Sequence, residues 1–181
     1  MMRGASCAAI LVAALAPCVA RAQDAPTRET PWRGEVDGGV GIRSLFGLDI
    51  LGGMGELRGG AQIRPWLGVY GDIGYFRGST PTGLPVWTGQ IGSRIDFVPL
   101  PHFHVGVGWG LLSFDLARAS SKDDIDTVGL GADLFVRYQF FDCGPFATFV
   151  ELRADAVDLD LLQAANSQPF FGLTLTGGFR F

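Results

Sequence analysis

The sequence predicts an all-β protein of eight antiparallel strands joined in up-and-down order. Apolar and polar residues alternate with a period of two from residue 32 to residue 181, the spacing of strands whose two faces meet different surroundings. Glycine makes up 27 of the 181 residues, which disfavours helix by about 1 kcal/mol at each interior position. Yet 48% of the residues are hydrophobic, which excludes a disordered chain. The stretches between alternating segments are by turns short and long, the rhythm of a meander. This length suits one domain with its own buried interior.

Residues 1–22 read as a secretory signal. Arg3 gives a positive start, residues 8–16 an apolar run, and Ala20-Arg21-Ala22 a small-x-small cleavage pattern, so the mature domain is expected to span 23–181. The apolar run is too short to cross a bilayer as a helix, and Pro17 before Cys18 spoils a lipoprotein motif. Removing Arg3 and Arg21 leaves 12 basic against 18 acidic residues, a formal charge of −6. Removing Cys7 and Cys18 leaves Cys143 alone, so no internal disulfide staples the exported chain. An acidic chain whose one lysine is Lys122 is a poor partner for nucleic acid.

The strands follow in order. The first sets Trp32, Val36, Val40 and Ile42 against Arg33, Glu35, Asp37 and Arg43. The second sets Leu57, Ala61 and Ile63 against Glu56, Arg58, Gln62 and Arg64; the third sets Leu67, Val69, Ile73 and Tyr75 against Gly68, Tyr70, Asp72 and Gly74. In the fourth, Trp87, Ile91, Ile95 and Phe97 oppose Thr88, Gln90, Arg94 and Asp96, and in the fifth, Phe103, Val105, Val107, Trp109 and Leu111 oppose His104 and three glycines. The sixth alternates from Val128 to Phe140 against Gly129, Asp133, Phe135, Arg137 and Gln139. The seventh sets Phe146, Val150, Leu152 and Ala154 against Phe149, Glu151, Arg153 and Asp155; the eighth sets Phe171, Leu173, Leu175, Phe179 and Phe181 against Thr174, Thr176 and Arg180. Short proline-bearing turns are expected at residues 64–66, 98–101 and 142–145, and longer loops at about 44–53, 77–86, 112–127 and 155–169.

Summed over the strands, the apolar face has 44 positions without a charge, where an indifferent face would hold about 8. The opposite face carries eight acidic residues and eight arginines. Two features orient the faces. The cations are all arginine, whose planar fork pairs bidentately with carboxylates in a crowded interior, whereas a solvated face would use lysine freely. The same face is also rich in glycine, which suits the narrow lumen of an eight-stranded barrel. The charged face therefore turns inward and the apolar face outward, giving an eight-stranded antiparallel up-and-down transmembrane β-barrel. Trp66, Phe97, Phe103, Phe140 and Phe146 beside the short turns, with Tyr75, Trp87, Trp109 and Phe171 toward the loops, read as two aromatic girdles.

From Trp32 to Phe181 the chain resembles the small eight-stranded outer-membrane barrels of the OmpA/OmpX type. Its most specific match is the last strand, where Leu173, Leu175, Phe179 and Phe181 alternate up to a closing phenylalanine. The resemblance implies that the barrel-assembly machinery reads these four residues as its signal. It also implies a place in the cell outer membrane, with outer-membrane lipids and lipopolysaccharide as partners. A monomer is expected, without the peptidoglycan-binding domain of larger relatives.

No catalytic, cofactor or metal site is expected. Ser93 faces outward while His102 and His104 lie beside a short turn, so a lipid-modifying constellation does not converge. Lys122-Asp-Asp-Ile-Asp126 lacks calcium-loop spacing and reads as a solvated charge run. The lumen residues singled out are Arg58, Arg94, Asp96, Asp133, Arg137, Glu151 and Arg153, as members of a charge network. A network of that density blocks a narrow lumen, so a structural or interaction role is expected, such as membrane integrity or surface contact. The alternatives are a narrow porin-like channel, a lipid-modifying enzyme and a secreted lipocalin-like binder.

Overall fold

The computed structural model describes residues 32–45, 48–116, 125–143, 146–158 and 169–181. They form β1 (Trp32–Leu45), β2 (Leu48–Arg64), β3 (Leu67–Ser79), β4 (Pro85–Leu100), β5 (Phe103–Leu116), β6 (Ile125–Cys143), β7 (Phe146–Asp158) and β8 (Pro169–Arg180). Each strand pairs antiparallel with its neighbours in sequence, and β8 returns to β1 to close the barrel. The closing seam runs from Glu35 opposite Arg180 to Ser44 opposite Phe171. Beyond it, Gly34 and Phe181 exchange two backbone hydrogen bonds of 2.8 Å. The expected signal segment and the charge run at 122–126 lie outside the described residues, apart from the backbone of Ile125 and Asp126 in β6.

The alternation has the expected phase on every strand. Val40, Ile73, Ile91, Leu134, Phe140 and Leu173 point outward and are exposed, whereas Glu35, Arg58, Arg94, Arg137, Glu151 and Arg153 point inward and are at most 2% exposed. An outer surface built of large apolar side chains over a charged interior inverts the order of a water-soluble protein and matches hydrocarbon.

The loops differ from expectation. Strand pairing continues through Ser44 opposite Asp49 and Leu45 opposite Leu48, so 44–53 is a hairpin end. The third hairpin likewise extends to Leu116 opposite Ile125, and β7 reaches Asp158. Asp49, Arg77, Asp115, Asp126 and Asp158, which fall within the expected loop ranges, therefore belong to strands. The physical reason lies inside these extensions. There the inward residues are apolar, and Ile50, Met54, Phe76, Val86, Leu112, Val157 and Phe170 bury one another as a plug at the loop end of the lumen. The contrast between an apolar outer and a polar inner face, which marks the strands lower down, is lost at that level.

Candidate functional site: the charged lumen

Below the apolar plug, four arginines and four carboxylates fill the lumen. Register supplies the first pairs: Glu35 stands opposite Arg58, and Arg137 opposite Glu151. The long arginine side chains then cross the interior. Glu151 on β7 accepts from Arg58 at 2.9 and 3.1 Å, from Arg94 at 3.0 Å, from Arg137 at 2.8 and 3.0 Å, and from Arg153 at 3.0 Å. Glu35 accepts one bond from Arg137 at 2.8 Å and one from Arg58 at 3.2 Å. Glu56 pairs with Arg153 at 2.6 Å and Arg94 at 3.3 Å. Asp37 lies 2.6 Å from Arg58 Nη2 but off the N–H direction, a charge contact without a directed hydrogen bond.

Phenylalanines plate this cluster. The guanidinium of Arg94 lies 4.7 Å from the centroid of Phe135, and that of Arg137 lies 4.3 Å from the centroid of Phe149. Glycines make room for the plates, since a Cβ on Gly106 would fall 2.5 Å from Phe135 Cζ and one on Gly178 would fall 2.6 Å from Phe149 Cζ. The same device seats three aspartates. Asp72, Asp133 and Asp155 each stand opposite a glycine on the adjacent strand (Gly92, Gly108 and Gly172), and each carboxylate leans over it.

The named network residues separate into two groups. Arg58, Arg94, Arg137, Glu151 and Arg153 meet in the central cluster, and Asp133 touches its edge at 3.5 Å from Arg94. Asp96 stands apart nearer the turns, where its Oδ2 is 2.9 Å from His104 Nδ1. Glu35, Asp37 and Glu56 are equal members, recognisable in the sequence only as inward charges because their partners depend on register. Arg43 sits higher, bonded to Thr88 and stacked on Phe76 at 4.5 Å.

Chemically the cluster is a neutral ionic core, with four cations against Glu35, Asp37, Glu56 and Glu151. A cavity of about 30 Å³ lies beside Asp72, Asp133, Arg153 and Asp155, room for roughly two waters. Among the described residues no group of three His, Cys, Asp or Glu is arranged to hold a metal. Ser93 on the outer face and His104 in the lumen do not meet.

The last strand puts Leu173, Leu175 and Phe179 on the outer face of the seam, opposite Ile42, Val40 and Val36. The ring of Phe181 covers Gly34, where a Cβ would fall 2.6 Å from Phe181 Cε2.

No family model matches the chain, and no curated protein matches it significantly. Solved structures do. The attachment invasion locus protein of Yersinia pestis, solved with the heparin analogue sucrose octasulfate, superposes with a TM-score of 0.58 at 12% identity, over 84% of this chain and 100% of that one. Neisserial surface protein A gives 0.57 at 14% identity, over 83% and 96%. The N-terminal β-barrel domain of Pseudomonas aeruginosa OprF gives 0.52 at 15% identity, over 82% and 97%. At such identities the likeness is one of fold: the chain has the fold of the small outer-membrane barrels.

Proposed function

We propose that this chain is an integral outer-membrane barrel with a structural or interaction role and no enzymatic activity, and that its lumen is closed to ions. The observation that carries the reading is the two-part filling of the lumen. The ionic core joins β1, β2, β4, β6 and β7 across the interior, and the apolar plug lies above it. An ion entering would have to displace paired charges in a confined space and dehydrate past Phe76 and Phe170, which disfavours the narrow-channel alternative. An apolar exterior around a charged interior disfavours a soluble lipocalin-like binder. The outward row Leu173, Leu175 and Phe179, with Phe181 beyond it, supports recognition of β8 by the barrel-assembly machinery, with export by a cleaved signal at residues 1–22.

Two measurements on the full chain test this. Detergent-refolded protein, run unboiled, is expected to migrate faster than the boiled sample and to insert into vesicles. In planar bilayers it is expected to give no discrete conductance steps. A soluble protein without a mobility shift would overturn the membrane placement, and reproducible single-channel steps would overturn the closed lumen.

A further inference from the structure

The lumen carries its charge unevenly along its length. The ionic core matches its cations with carboxylates, but at the turn end below it Arg33 and Arg180 stand without such partners. Arg180 is the last residue of β8 and only 9% exposed, yet among the described residues it makes no hydrogen bond. The described carboxylate within 4 Å of it, that of Asp142, lies 3.8 Å away, has a side chain 42% exposed and already accepts from Gln139 at 2.7 Å.

Register sets Arg33 beside it. Glu35 pairs with Arg180 across the seam, so Arg33, the next inward residue of β1 toward the turns, is the diagonal neighbour of Arg180, roughly 7–8 Å away along the wall. The charge of Arg33 acts on Arg180 more strongly than that of Asp142 does. Arg33 donates to Gln62 Oε1 at 2.8 Å, and Gln62 is anchored by donating to the carbonyls of Arg64 and Pro65. That contact is neutral, and no described carboxylate forms an ion pair with Arg33.

The other carboxylates facing this space are engaged. Glu35 accepts from Arg58 and Arg137, and Asp96 pairs with His104 at 2.9 Å. The ring of Tyr70 lies over Gly60, the register partner of Arg33, and closes that side of the wall with a neutral group. Arg64, exposed at the end of β2, adds a cation at the rim. Two neighbouring guanidinium groups repel, and one that is nine-tenths buried without an acceptor carries a desolvation cost that an anion removes. Their planar N–H edges match the paired oxygens of a carboxylate or phosphate, which a spherical halide lacks.

We propose that Arg33 and Arg180 form a binding site for a small oxyanion, a carboxylate or phosphate, that enters the lumen from the turn side. The site needs the closed barrel but no channel, because the ionic core lies above it, and it goes beyond the structural role proposed above.

The test uses the full chain refolded in uncharged detergent, with inorganic phosphate as the probe and its phosphorus NMR line width as the readout. Wild type is expected to broaden the line, acetate to reverse the broadening by competition, and chloride at equal ionic strength to leave it. Arg33→Gln and Arg180→Gln are each expected to weaken phosphate binding about tenfold, the size of one charge-assisted contact, while keeping the unboiled mobility shift. Arg77→Gln, which removes the same charge at the loop end, is expected to bind as wild type does. Arg33 touches no member of the ionic core, so Arg33→Gln decides the matter if Arg180→Gln does not close. Unchanged binding by Arg33→Gln would overturn the site, as would equal weakening by Arg77→Gln or displacement by chloride. A wild-type chain that shows the mobility shift but leaves the phosphate line sharp would overturn it too. A wild-type chain without the shift would overturn the closed barrel itself.

Discussion

Glu151 accepts hydrogen bonds from four guanidinium groups while fully excluded from solvent, and Asp133 meets one of those groups at 3.5 Å from a partly exposed position. The two carboxylates therefore differ in what their removal costs. Glu151→Gln keeps the shape but leaves the buried arginines one charge in excess, and is expected to destabilise the refolded barrel by about 3–5 kcal/mol. Asp133→Asn is expected to cost less than about 1 kcal/mol, since a partly solvated contact is screened. Urea midpoints of the two variants against wild type check the ordering; equal midpoints would mean that Glu151 is not the hub of the core.

Within a strand, the same residue type serves opposite ends depending on which way it points. Gly106 faces inward, where a Cβ would strike both the Phe135 ring and the Ile95 carbonyl, whereas Gly59 faces outward with nothing within 4 Å. Gly106→Val is accordingly expected to abolish the unboiled mobility shift and Gly59→Val to keep it. Closure of both variants would show that the wall yields where it is drawn as tight. Residue phase of this kind was legible from alternation alone, on every strand from β1 to β8. Strand length was not, because at the loop end Ile50 and Phe76 point inward while Asp49 and Arg77 point outward, reversing the rule that identified the lower strands. Pairing within the lumen was legible only in part. Arg58, Arg137 and Glu151 could be named as inward charges, but the contact of Arg58 with a carboxylate 93 positions later, and the separate pairing of Asp96 with His104, require the closed register.

At the level of the whole molecule, the eight strands form a hoop in which each is held on both sides. A hoop cut at one connection still has every seam. The ionic core reinforces this, because Arg58 and Glu35 on one side of the stretch between Leu116 and Ile125 are bonded to Glu151 and Arg137 on the other. Two polypeptides divided in that stretch, one carrying β1–β5 and the other β6–β8, are expected to reassemble in detergent into a particle that runs as one unboiled band and as two fragments after boiling. Two bands before boiling would mean that continuity of the chain, rather than the seams, keeps the barrel shut. Reassembly would make the protein a two-piece reporter, in which joining the halves is read directly from a gel.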